Sequence, residues 1–150
     1  MASDFVSCSG VRERLRSDSS ADGLRALEMT FGSPFVPIAA PFADYARPSF
    51  APGRPIAEAV LELTRRVHED FEYRPGATSV TTPVGDVLEQ RFGVCQDFAH
   101  VEIACLRALG LPARYVSGYI RTNPAPGTER LVGADASHAW LGVWCGESGW

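Results

Sequence analysis

Apolar residues recur at Ile56, Val60, Leu63, Val67 and Phe71, and these steps of three and four predict a helix between Pro55 and the Tyr73-Arg74-Pro75-Gly76 turn. A second helix is predicted from Cys95 to Leu109, a run without proline or glycine. Phe98, Val101, Cys105 and Leu109 form one stripe on it. Ile103, Ala104, Leu106 and Ala108 spread over the other faces, so this helix should be buried on most sides. Gly110-Leu111-Pro112 supplies the glycine and proline that end it. Between the two, Thr82-Pro83 reads as an N-cap and first helical residue, Val84 to Phe92 as a short apolar element, and Gly93 as its left-handed stop. The pattern then changes period. Tyr115 to Ile120 is rich in aromatic and β-branched residues. His138 to Trp144 alternates His138, Trp140, Gly142 and Trp144 with Ala139, Leu141 and Val143, and both segments read as strands. Arg121 to Ala134, with Asn123-Pro124-Ala125-Pro126-Gly127, reads as an exposed loop able to flank a cleft.

The front of the chain carries less pattern. Residues 1–33 are polar and mixed in charge, Ser17 to Gly23 reads as a flexible stretch, and six prolines fall between Pro34 and Pro55. We therefore divide the chain into residues 1–50, a polar then proline-rich linker or wrapping arm, and residues 51–150, a compact domain. The 150 residues, 45% of them hydrophobic, suffice for one core. A net charge of −4 with interspersed signs argues against a nucleic-acid partner. No apolar run approaches the roughly twenty residues of a membrane span, and the N-terminus lacks the order of a signal peptide, so no membrane partner and a cytoplasmic location are expected. The four cysteines, Cys8, Cys95, Cys105 and Cys145, are then expected to be reduced.

Candidate chemistry gathers at two places, Gly93-Val94-Cys95-Gln96-Asp97-Phe98-Ala99-His100 and Asp135-Ala136-Ser137-His138-Ala139-Trp140. The first offers a cysteine at a helix start and the second a histidine at a strand start. Thiols act as thiolates, which a helix N-terminus and a nearby imidazolium both favour. Packing the helix start against the second strand would bring Cys95 toward His138. A metal reading fails on geometry, because steps of five on a helix rotate by about 140° and point Cys95, His100 and Cys105 in three directions. No metal or cofactor is implied. Cys105 reads as a packing thiol, His100 as a packed helix residue, His68 as part of a solvated face, and Asp97 as a hydrogen-bonding residue of the first helical turn. Trp140, Trp144 and Trp150 read as cleft-wall or core aromatics.

Cys95 in Gly-Val-Cys-Gln-Asp-Phe-Ala-His, the segment Arg114-Tyr115-Val116-Ser117-Gly118-Tyr119, and His138 in Asp-Ala-Ser-His-Ala-Trp together resemble the transglutaminase-like superfamily of papain-type cysteine enzymes, in its bacterial branch. The resemblance covers roughly residues 51–150. It implies an α+β papain-like core, a helix bearing the nucleophilic cysteine packed on an antiparallel sheet, with Cys95 as nucleophile and His138 as base. It also implies a peptidase, amidase or acyltransferase that works through a thioester on protein or peptide amides, a hydrolase or a transferase by choice of acceptor. The 43 residues from Cys95 to His138 set the chain apart from papain itself, where the histidine follows about 130–150 residues later, and from caspases, where it precedes the cysteine. The family's third catalytic residue is an aspartate on the following strand, after a Gly-Trp. This sequence ends at Gly149-Trp150, so we expect a catalytic domain incomplete at its C-terminus, with a rate lowered by orders of magnitude and possible self-association through an exposed sheet edge. Asp135 is a poor substitute, since odd spacing on a strand sends it and His138 to opposite faces. The alternative reading is a catalytically impaired fragment or a non-enzymatic protein-binding module of the same fold.

Overall fold

The structure, a computed structural model, describes residues 6–119 and 137–150. Its centre is the helix α6, preceded along the chain by five others: α1 (Cys8–Ser17), α2 (Ala21–Glu28), α3 (Ala40–Ala46), α4 (Ile56–Asp70), α5 (Val84–Gln90) and then α6 (Cys95–Ala108). As its apolar belt predicts, α6 is buried on most sides. Val101, Ile103, Ala104, Cys105 and Leu106 have no exposed surface, and burying each of the larger three stabilises the fold by roughly 1.5–3 kcal/mol. Its C-terminus closes as read: Gly110 takes φ 71°, and the Leu111 N–H returns to the Leu106 carbonyl at 2.9 Å. On α4 the residues that set the period, Ile56, Leu63, Val67 and the capping Phe71, enter the same core.

Among the described residues four strands complete the frame. β1 (Glu72–Tyr73) and β2 (Phe92–Gly93) form a short parallel pair, and β3 (Ala113–Tyr119) and β4 (Ser137–Val143) an antiparallel ribbon that packs on α6. The register of the ribbon sets Ala113 opposite Val143, Tyr115 opposite Leu141 and Gly118 opposite His138. Opposed residues share a face, so Ala113, Tyr115, Leu141 and Val143 form one side and Arg114, Val116, Gly118, His138, Trp140 and Gly142 the other. Ala113, Leu141 and Val143 of the first set pack into the core, and Tyr115 stays partly exposed. Ile120 and the loop Arg121 to Ala134, like Asp135, lie outside the described residues.

Two readings of the sequence give way. Ser17 to Gly23 joins two helices, because Ser7 and Ser20 each accept a hydrogen bond from the backbone N–H three residues on and so cap α1 and α2. Val11 and Leu15 of α1 join the core, Arg12 donates to the Leu109 carbonyl at 3.0 Å, and the Ile56 N–H bonds to the Val6 carbonyl. The arm wraps as helices. The second correction concerns the stop before α6: α5 ends at Arg91, which itself takes the left-handed conformation at φ 60°, while Gly93 lies in β2.

Candidate active site

Cys95 is the first residue of α6 and is half-buried. Three contacts fix that helix start. Val94, in extended conformation, donates its N–H to Asp97 Oδ2 at 2.8 Å, and the Thr78 hydroxyl donates to the same oxygen at 2.5 Å. Asp97 is thereby one of the few buried charged residues. The Gly93 carbonyl accepts the Arg74 N–H at 2.8 Å, which ties the approach to α6 into the β1–β2 pair. Glycine at 93 answers a close approach: a Cβ there would lie 2.7 Å from Asp97 Oδ2. The N–H groups of Cys95 and Gln96 belong to a first helical turn, where no acceptor exists within the helix, and this makes them available to an oxyanion.

Across from this start stands Tyr115 of β3. Its hydroxyl resists ionisation through burial first, and then through the nearby charges of Cys95 and Asp97, which places the phenol beside the helix start. Its ring stacks on His100 at 4.9 Å between centroids, and His100 in turn stacks on Phe35 at 5.8 Å. Burial lowers the His100 pKa against the pull of Asp97, so this imidazole favours its neutral form. His138 opens β4 opposite Gly118, on the ribbon face away from Tyr115. The Trp140 indole covers Gly118 on that same face, where a Cβ would come within 2.8 Å of it. The structure thus joins Cys95, Asp97, His100 and Tyr115 at one place, and sets His138 at the start of a strand that packs on α6. Among the described residues no hydrogen bond joins Cys95 to His138.

A family model described as the transglutaminase-like superfamily matches residues 43–150. The chain belongs to the transglutaminase-like superfamily. An uncharacterized protein of Mycobacterium tuberculosis is 55% identical over 101 residues, 67% of this chain and 32% of that protein. A protein-glutamine gamma-glutamyltransferase of Pseudomonas aeruginosa is 36% identical over 118 residues, 76% of this chain and 17% of that one. The chain therefore spans about a third of the length of the mycobacterial relative and less of the other. Among solved structures, a candidate cysteine protease from Cytophaga hutchinsonii superposes with a TM-score of 0.69 at 28% identity, over 87% of this chain and 41% of its own. The periplasmic domain of TgpA from Pseudomonas aeruginosa does so with a TM-score of 0.50 at 27% identity, over 93% and 46%. The α+β papain-like core is the fold of this chain.

In this transglutaminase-like domain the remaining cysteines lie away from the start of α6. Cys105 is fully buried, its thiol pushed up to about 12 by burial and by the neighbouring Glu102, and burial raises Cys8 and Cys145 as well. His68 is exposed on α4. Trp144 is a core residue, whereas Trp150 lies under the Arg114 guanidinium at 4.3 Å. Among the described residues no group of three or more histidine, cysteine, aspartate or glutamate side chains is arranged to hold a metal ion. Two residues near the site escaped the sequence reading. Tyr115 was read as part of a strand and of a family motif, with no role of its own. Glu102, buried and bonded to Thr64 at 2.7 Å, left a visible signal, an acid in the middle of an apolar helix.

Proposed function

We propose that this chain is a cysteine acyl-transfer enzyme acting on amides of peptides or proteins, with Cys95 as nucleophile and His138 as general base and acid. The thiolate attacks the carboxamide carbon, forming a C–S bond, and the developing oxyanion takes the free N–H of Cys95. Collapse breaks the C–N bond, and the leaving nitrogen receives its proton from the His138 imidazolium. Water or a primary amine then attacks the thioester, giving hydrolysis or transfer, and His138 takes up the proton released. The observation that carries this reading is the opening of α6 at Cys95, clamped by Asp97 and faced by Tyr115. The role of His138 is supported by family membership. The glutamyltransferase relative points to a glutamine carboxamide as acyl donor, and the structural neighbour from Cytophaga hutchinsonii to hydrolysis.

The test is ammonia release from a glutamine-bearing peptide, followed with and without a primary amine. Cys95→Ala should remove both ammonia release and amine incorporation, a loss of about 10³-fold or more, and His138→Ala should lower both by a comparable factor. Turnover that survives Cys95→Ala would overturn the assignment.

A further inference from the structure

A groove that begins at Gln96, the residue after Cys95, has walls of unlike origin. Gln96, His100 and Ile103 of α6 form one, Tyr115 of β3 a second, and Phe35 and Val36 a third, with a cavity volume of about 390 Å³. Phe35 and Val36 sit on the turn Ser33–Val36, closed by two backbone hydrogen bonds of 2.9 and 3.0 Å. This turn precedes residues 43–150 that the family model matches, so the wall comes from the arm of this chain. Phe35 is 56% exposed, Val80 68% and Tyr115 39%: three large apolar side chains stay open to solvent around one hollow. The Phe35–His100–Tyr115 stack holds two of them in place.

Charge narrows the occupant. Arg107, the cation in this wall, donates to the Phe31 carbonyl at 2.7 Å and to the Ala113 carbonyl at 3.0 and 2.8 Å. His100 favours its neutral form, and no carboxylate lines the groove. An uncharged, apolar group therefore fits, and the volume lies at the small end of ligand pockets, enough for a side chain rather than a cofactor.

We propose that this groove is the subsite for an apolar, above all aromatic, side chain of the peptide acyl donor, and that Phe35 sets the preference. The proposal rests on the reading of Cys95 as the nucleophile, and the test separates the two. Chloroacetamide and N-benzyl-chloroacetamide both alkylate a thiolate by forming a C–S bond and expelling chloride, so their rate ratio, normalised to that with glutathione, reports what the benzyl group gains from the protein. Rates are read cysteine by cysteine from peptide masses. At Cys95 the benzyl reagent should be favoured by about tenfold, with saturation in its concentration, and at Cys145 not at all. Phe35→Ala should bring the ratio close to unity, and Phe35→Leu should retain most of it. A ratio near unity in the parent chain, or one that Phe35→Ala leaves unchanged, overturns the subsite while the nucleophile stands. If chloroacetamide modifies Cys95 no faster than Cys8 and Cys145, the nucleophile reading itself falls.

Discussion

A single carboxylate oxygen holds the start of α6 in place. Asp97 Oδ2 accepts from both the Val94 N–H and the Thr78 hydroxyl, and Gly93 leaves the space it occupies. Asp97→Ala strands two donors in a buried place, at a cost of about 1–3 kcal/mol. Gly93→Ala drives a methyl into the same oxygen and should act in the same direction. Both variants are expected to lower the melting temperature by several degrees, at about 2–4 °C per kcal/mol for a chain of this size, and to slow iodoacetamide labelling of Cys95 although neither touches the sulfur. Unchanged labelling in both would show that the helix start is set by other contacts. The sequence placed Asp97 correctly as a hydrogen-bonding residue of the first turn, because an acid at that position has one dominant use. It misplaced the role of Gly93, since a glycine before a helix reads as a stop when its real constraint is a side chain three-dimensionally adjacent but four residues on.

At the level of elements, the contact between α4 and α6 contains a titration. Burial holds the Glu102 carboxyl up at about 7 from its ordinary 4.5, against a hydrogen bond from Thr64 that favours the charged form. Below about pH 4.5 folded and unfolded chains both carry the proton. Between there and about 7 the folded chain keeps a proton that the unfolded one has lost, and stability is lost as pH rises through that window. Glu102→Gln keeps a partner for Thr64 and has no charge to bury. It should match the parent near pH 4.5 and exceed it by about 1–3 kcal/mol at pH 8, read as a widening gap in melting temperature. A gap that does not change with pH would place the carboxylate in contact with solvent. The two helices involved were legible because each runs long enough for the 3.6-residue period to repeat several times. By contrast α1 and α2 are short, ten and eight residues, so their capping serines, Ser7 and Ser20, carried the signal and their apolar stripes did not. The β1–β2 pair was invisible for a related reason: two residues cannot show a period of two.

Over the whole molecule, the first helices, α4, α6 and the β3–β4 ribbon share one apolar core, and the half of the chain richest in motif rests on the half poorest in it. The family and its core were legible from three motifs in order, whereas the groove wall built by Phe35 was not, because a turn in a proline-rich arm gives no sign of what it folds against. The account turns on Cys95 being the sulfur that carries an acyl group. Burial raises the thiol pKa of Cys8, Cys105 and Cys145, whereas Cys95 opens a helix with free amides at its start. The most direct test is an acid-quenched single turnover with p-nitrophenyl acetate at pH 7, followed by peptide mass mapping. The acetyl group should be found on the peptide holding Cys95 and be absent from the Cys95→Ala variant. Its appearance first on Cys8 or Cys145, or an equal spread over all exposed nucleophiles, would contradict the account.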